Sequence, residues 1–137
     1  FFGEKDYQQL FIIKKLVRDL NFKINIQAVK TVRDKNGLAL SSRNRLLSAE
    51  EKNIASKVNL ILKEVTNKSL KDTETILKRI TKKLYYEGVK KVEYLEIRNE
   101  KSLELYKLGK IDNKNYRIFI AVIIGNVRLI DNMKLLK

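Results

Sequence analysis

Leu10, Ile13, Val17 and Leu20 fall three or four residues apart, and Ile12 and Leu16 widen the same face. That period predicts an amphipathic helix from about Lys5 to Leu20. Phe1-Phe2-Gly3 before it reads as the end of a strand turning into the helix. Ile24, Ile26 and Ala28 then alternate with their neighbours, so Lys23 to Val29 reads as a second strand. Strand, helix and strand at this spacing make a βαβ-like end of an α/β sheet.

Thr31 to Arg45 has no clear period and contains the turn pair Asn36-Gly37, which predicts a long polar loop. Such loops in compact domains are often functional. Ser48-Ala49-Glu50-Glu51 spells a capping box, with the Ser48 hydroxyl over the Glu51 amide and Glu51 reaching back. The helix it opens carries Ile54, Val58, Ile61, Leu62 and Val65 on one face. A further helix, about Asp72 to Glu87, carries Ile76, Leu77, Ile80 and Leu84, and Gly88 is placed to end it. Val92 to Ile97 reads as a strand, Ser102 to Leu108 as a short helix, and Tyr116 to Ile124 as a buried strand. Gly125-Asn126 suits a tight hairpin into Val127 to Asp131. The second part is therefore α+β: two helices followed by a mainly antiparallel sheet.

Composition narrows the chemistry. Of 137 residues, 44% are apolar, enough for a core and too many for a disordered tail. Cysteine and histidine are both absent, which excludes thiol catalysis, disulfides and a histidine base or metal ligand within these residues. The longest apolar run, Ile118 to Ile124, is far shorter than the roughly 20 residues that span a bilayer. No signal peptide is visible, and an opening on Phe1 rather than Met reads as a fragment or a processed chain. The net charge of +14 invites a nucleic-acid reading. Yet residues 1–48, 49–89 and 90–137 carry +6, +3 and +5, so the excess is spread evenly with no basic block. A generally basic surface accounts for that, and it also suits small anionic ligands such as nucleotides.

Two segments concentrate candidate chemistry. Gly3-Glu4-Lys5-Asp6 lies where a strand hands over to a helix, where unpaired amides and a lysine favour an anion. The plainer alternative is that Asp6 caps a helix and Lys5 is solvated. Leu40-Ser41-Ser42-Arg43-Asn44-Arg45 crowds hydroxyls, guanidiniums and an amide onto the loop. Planar guanidiniums match phosphate oxygens, and serine hydroxyls complete such a shell. Here the alternative is a polar loop before a capped helix. Gln8 and Gln9 are each able to fix a hydroxyl or carboxylate. Asp131-Asn132 reads as a turn anchor.

Taken together these segments resemble the pantoate–β-alanine ligases. Phe2-Gly3-Glu4-Lys5-Asp6-Tyr7-Gln8-Gln9-Leu10 is similar to the family's nucleotide-binding segment. Thr31-Val32-Arg33, then Asp34, then Gly37 to Arg45 resembles its serine–arginine loop. Val92 to Glu96 and Gly125 to Asn132 resemble two strands of its small domain. Order and spacing agree over essentially the whole sequence. Lys30 stands where the family usually has proline and Val127 where it often has threonine, both peripheral to the chemistry. The larger departure is the family's longer N-terminal portion with its histidine-containing motif, which these residues do not include.

The resemblance implies an ATP-dependent, AMP-forming ligase that joins pantoate to β-alanine through pantoyl adenylate, with Mg²⁺ accompanying the ATP and its ligands unassigned. It implies that residues 1–29 are the α/β end of a Rossmann-like nucleotide-binding domain and 30–137 a small C-terminal α+β domain. Gly3, Glu4, Lys5 and Asp6 would bind ATP, with Lys5 facing the phosphates and Asp6 near the ribose. Val32 would meet the adenine through its backbone. Leu40, Ser41, Ser42 and Arg43 would close over the phosphates, with Lys5, Ser41, Ser42 and Arg43 as the catalytic set. Gln9 would hold pantoate. It further implies a cytoplasmic enzyme, a homodimer when intact, with no nucleic-acid or membrane partner, and inactivity of these residues alone. The alternative from charge alone is a basic nucleic-acid-binding module.

Overall fold

The computed structural model describes residues 1–66, 70–107 and 115–135. A two-residue strand β1 (Phe2–Gly3) runs through a 3-10 turn (Glu4–Asp6) into helix α1 (Tyr7–Asp19). The chain returns as β2 (Ala28–Val29), which pairs with β1 in parallel, Phe2 opposite Ala28. The βαβ reading holds, but the expected strand over Lys23 to Val29 is reduced to its last two residues. Among the described residues its ladder is the pairing of Ala28 and Val29 with Phe2 and Gly3.

The long loop folds back on itself. Arg33 and Ala39 form an isolated antiparallel bridge, and the Leu40 N–H donates to the Val32 carbonyl at 2.9 Å. Asp34 closes the turn with its carboxylate, which accepts the Asn36 and Leu38 N–H groups. Gly37 sits at φ 88°, a backbone conformation that favours glycine, and a Cβ there would make a tight 3.1 Å contact with Asn59 Oδ1. A second 3-10 turn, Ser42–Leu46, leads to helix α2 (Ala49–Leu62), whose capping box forms as predicted.

Helix α3 (Thr73–Tyr86) follows, capped by the Asp72 carboxylate on the Thr75 N–H and ended by Gly88 at φ 103°. Strands β3 (Lys91–Asn99), β4 (Tyr116–Ile124) and β5 (Val127–Lys134) then form an antiparallel sheet in that order, with an irregularity between Val92 and Tyr94. The short helix expected at Ser102 is replaced by turns. The Asn99 side chain accepts the Lys101 and Ser102 N–H groups, Leu103 adopts φ 60°, and Leu105 bridges to Arg98. Side-chain bonds of this kind compete with helix. Leu108, the expected end, lies outside the described residues. β5 also runs three residues past its expected end at Asp131.

β4 is the centre of the molecule. Ile118, Ile120, Val122 and Ile124 on one face join Val58, Leu62, Ile80 and Leu84 of α2 and α3 in the main core. Arg117 and Phe119 on the other face meet Tyr7. That double burial is why the strand reads as a continuous apolar run. Only Leu10 of the α1 face is fully buried, while Ile13 and Val17 are half-buried and Ile12, Leu16 and Leu20 are exposed. No helix among the described residues is long and apolar enough to cross a membrane.

Candidate active site

Both candidate segments come to the end of β5. The turn Glu4–Asp6 lies on one face of that strand, held by Asn132, whose Nδ2 donates to the Glu4 and Lys5 carbonyls at 2.9 and 2.8 Å. The loop lies on the other, held by Asp131, which takes a bidentate pair from Arg33 at 2.7 and 2.8 Å. Arg33 also donates to the Gly37 carbonyl, tying off the loop's own turn. Asp131-Asn132 is thus no turn anchor. It lies within a strand and pins two distant segments.

Lys5 stands where these segments converge. It lines a gap of about 20 Å³ with Ser41, Asn44 and Asp131, floored by apolar core side chains, and a neighbouring cavity of about 170 Å³ with Asp6, Gln8, Gln9, Tyr94 and Phe119. Lys5 therefore lies between Ser41 on one side and Asp6 and Gln9 on the other. Asp6 precedes α1 but makes no side-chain cap, which removes the plainer role foreseen for it. Its carboxylate and the Gln9 amide are exposed. Ser42 and Arg43 are exposed on the 3-10 turn, and Leu40 and Val32 project outward at 54% and 62% exposure. The Ser41 hydroxyl caps that turn by accepting the Arg43 N–H, with Asn44 bracing it through the Ala39 carbonyl. The Val32 carbonyl already accepts the Leu40 N–H, so a base contact would use its N–H or the second lone pair. Gly3 is exposed at the strand end, outside both cavities.

Behind the turn lies a buried polar network. Arg117, 8% exposed, donates to Glu100 at 3.0 Å and to Asn132 Oδ1 at 2.5 Å, and its guanidinium lies 4.2 Å from the centroid of the Tyr7 ring. The Tyr7 ring also packs edge-on against Phe119. Burial pushes the Tyr7 hydroxyl above its ordinary value, the Glu100 carboxylate adds to the rise, and Arg117 opposes it. Arg117 and Glu100 of this network were not singled out from sequence. Its signal was an arginine inside an otherwise apolar strand, Tyr116 to Ile124. On the flank of α1 a wide open groove of about 1070 Å³ gathers Lys14, Lys15, Arg18, Lys30 and Lys134. Among the described residues no three Asp or Glu side chains cluster as a metal site would require.

The chain matches the family model for pantoate-beta-alanine ligase over residues 1–134. It is 43% identical to a pantothenate synthetase of Buchnera aphidicola, over 99% of this chain and 48% of that protein. It is 42% identical to one of Enterococcus faecalis, over 96% and 47%. The fold superposes on a pantothenate synthetase of Thermus thermophilus with a TM-score of 0.81 and 30% identity, over 99% of this chain and 49% of that one. It also superposes on a Francisella tularensis pantoate-beta-alanine ligase complexed with beta-gamma ATP and beta-alanine, at a TM-score of 0.69 and 37% identity, over 97% and 42%. The chain spans about half the length of the relatives it matches. With its motifs in the family's order, its fold superposing on family structures and the family model spanning all but its last residues, the chain belongs to the pantoate–β-alanine ligase family.

Proposed function

We propose that these residues form the phosphate-gripping half of an ATP-dependent, AMP-forming ligase. The observation that carries this is the convergence of Lys5 and Ser41 on one space at the end of β5, from segments far apart in sequence. The nucleotide complex of the Francisella relative supports ATP as the ligand. In the first step the carboxylate of pantoate attacks the α-phosphorus of ATP, and pyrophosphate leaves. In the second the amine of β-alanine attacks the acyl carbon of pantoyl adenylate, the amide forms, AMP leaves and the amine gives up a proton. The substrate supplies the nucleophile, so the protein's task is electrostatic. Lys5, Arg43 and the Ser41 and Ser42 hydroxyls meet charge that builds on the phosphates as pyrophosphate departs. Gly3, Glu4 and Asp6 line the ATP side, Val32 meets the base through its backbone, Leu40 closes over the phosphates with the serine–arginine loop, and Gln9 holds pantoate. Mg²⁺ arrives on the nucleotide, and no residue described here is assigned to it.

Residues 1–29 belong, on this reading, to a Rossmann-like domain whose larger sheet covers the exposed Ile12, Leu16 and Leu20 of α1. Residues 30–137 form the small domain that closes over the nucleotide and keeps water from the adenylate. The intact enzyme is a cytoplasmic homodimer that acts without nucleic acid, and these 137 residues alone make no pantothenate. AMP formation above a no-protein control, from ATP, pantoate and β-alanine, would contradict that last point. The functional test is Lys5→Ala and Arg43→Ala in an enzyme of the relatives' full length that carries these residues. Each lowers turnover by roughly 10²–10³ with little change in KM for β-alanine. A change under about threefold for both would return these residues to the solvated surface.

A further inference from the structure

Adjacent residues of a strand project to opposite faces of the sheet. At the end of β5 that alternation gives Asp131 to the loop and Asn132 to the turn. Asn132 is 3% exposed, and its amide has one chemically consistent orientation. Nδ2 lies between two carbonyl acceptors, and Oδ1 faces the Arg117 guanidinium, which only donates. Asp131, with its side chain 12% exposed, accepts both forks of Arg33 and the N–H of Asn132 itself. Each residue of this dipeptide therefore fixes one of the two segments proposed to grip a nucleotide. Neither side chain needs to reach a phosphate to decide how far apart the grips stand.

We propose that Asp131 and Asn132 are a pair of positioning residues that set the separation between Lys5 and the Ser41–Arg43 segment, and with it the affinity for ATP. The inference rests on the ATP reading above. Asn132 acts through the Lys5 peptide, and Asp131 acts through Arg33 and the turn it closes at Gly37. Because both act from one strand, a shift of β5 moves the two grips together, whereas loss of either residue moves one relative to the other.

Asn132→Asp tests the first arm. It keeps the size of the side chain and the acceptor for Arg117, but turns a carboxylate oxygen toward two carbonyls. Asp131→Asn tests the second by removing the charge and the bidentate pair. ATP affinity by calorimetry, amide exchange and thermal midpoint are measured on an enzyme of the relatives' full length that carries these residues, the parent, and on both variants. For Asn132→Asp the exchange of the Glu4–Tyr7 amides speeds up, amides of β3 and α3 keep their rates, and ATP binds about tenfold more weakly or worse. For Asp131→Asn the faster amides lie in 33–41 instead, with a similar loss of affinity. A merely structural role lowers the thermal midpoint and leaves affinity within about twofold, and that result overturns the proposal. So does unchanged exchange at Glu4–Tyr7 in Asn132→Asp. A full-length parent that does not bind ATP overturns the ATP reading and this inference with it, and is told apart by the parent's failure rather than the variants'.

Discussion

Arg117→Met removes the guanidinium that joins the N-terminal turn to the sheet. Arg117 is 8% exposed, and its partner Glu100 has a side chain 11% exposed. Methionine replaces much of the stem but donates nothing. Glu100 then keeps Lys134, at 3.4 Å on a half-exposed side chain, as its remaining cation among the contacts at this site. Asn132 Oδ1 loses its donor, and Tyr7 loses the charge over its ring. Breaking one half of a buried pair costs about 3–5 kcal/mol. The surviving Lys134 contact offsets up to about 1 kcal/mol, as exposed pairs do. The expected loss is therefore about 3 kcal/mol, near the lower end of the buried-pair range. With a slope of about 2 kcal/mol per molar urea, the midpoint falls by roughly 1.5 M. Urea denaturation followed by far-UV circular dichroism reads this directly, since there is no tryptophan. Adding Glu100→Gln removes the stranded charge, so the double variant recovers at least half of the loss. A loss under about 1 kcal/mol, or a double variant no better than the single, refutes the reasoning.

Other consequences follow from the core and the turns. Leu84→Ala, at a fully buried site between α3 and the sheet, costs about 2–5 kcal/mol in the same assay; a loss under about 1 kcal/mol would mean a core that collapses freely. Gly125→Ala costs about 1–2 kcal/mol, because φ is 57° and a Cβ there falls 1.8 Å from the Glu51 carboxylate that completes the cap of α2. A neutral result would show that the hairpin relaxes without strain. Tyr7 holds its proton more tightly when folded than its ordinary value of 10.0 allows. Its contribution to stability is complete below that pH and is lost as pH rises above it through the folded value. Tyr7→Phe therefore removes part of the loss of stability that sets in above about pH 10. Equal pH slopes for parent and variant would contradict this.

The elements that could be read from sequence are those with a long period and a strong stop. α2, α3 and β4 have both, and their capping box, closing glycine and continuous apolar run act locally. Over Lys23 to Val29 the alternation alone did not fix the length of the strand, because a strand forms only where a partner pairs with it, and here that is Ala28 and Val29. Ser102 misled because the carboxamide of Asn99 captures the next amides before a helix can start. At the site, the Lys5 turn and the serine–arginine loop stood out by residue type. Asp131 and Asn132 did not, because their partners Arg33, Glu4 and Lys5 lie about a hundred residues or more away. A polar pair followed by more strand was the clue, and it reads as a turn until the fold supplies those partners.

The central claim is that one nucleotide's phosphates meet both the Lys5 turn and the Ser41–Arg43 segment. Titrating the ¹⁵N-labelled enzyme of the relatives' full length that carries these residues with ATP, and following each backbone amide, tests it most directly. The account predicts that the amides of Gly3–Asp6 and of Ser41–Arg43 shift together along one binding curve, and that Lys5→Ala weakens both sets equally. Shifts confined to Lys14, Lys15, Arg18 and Lys30 in the open groove on α1, with the turn and the loop unmoved, would contradict it.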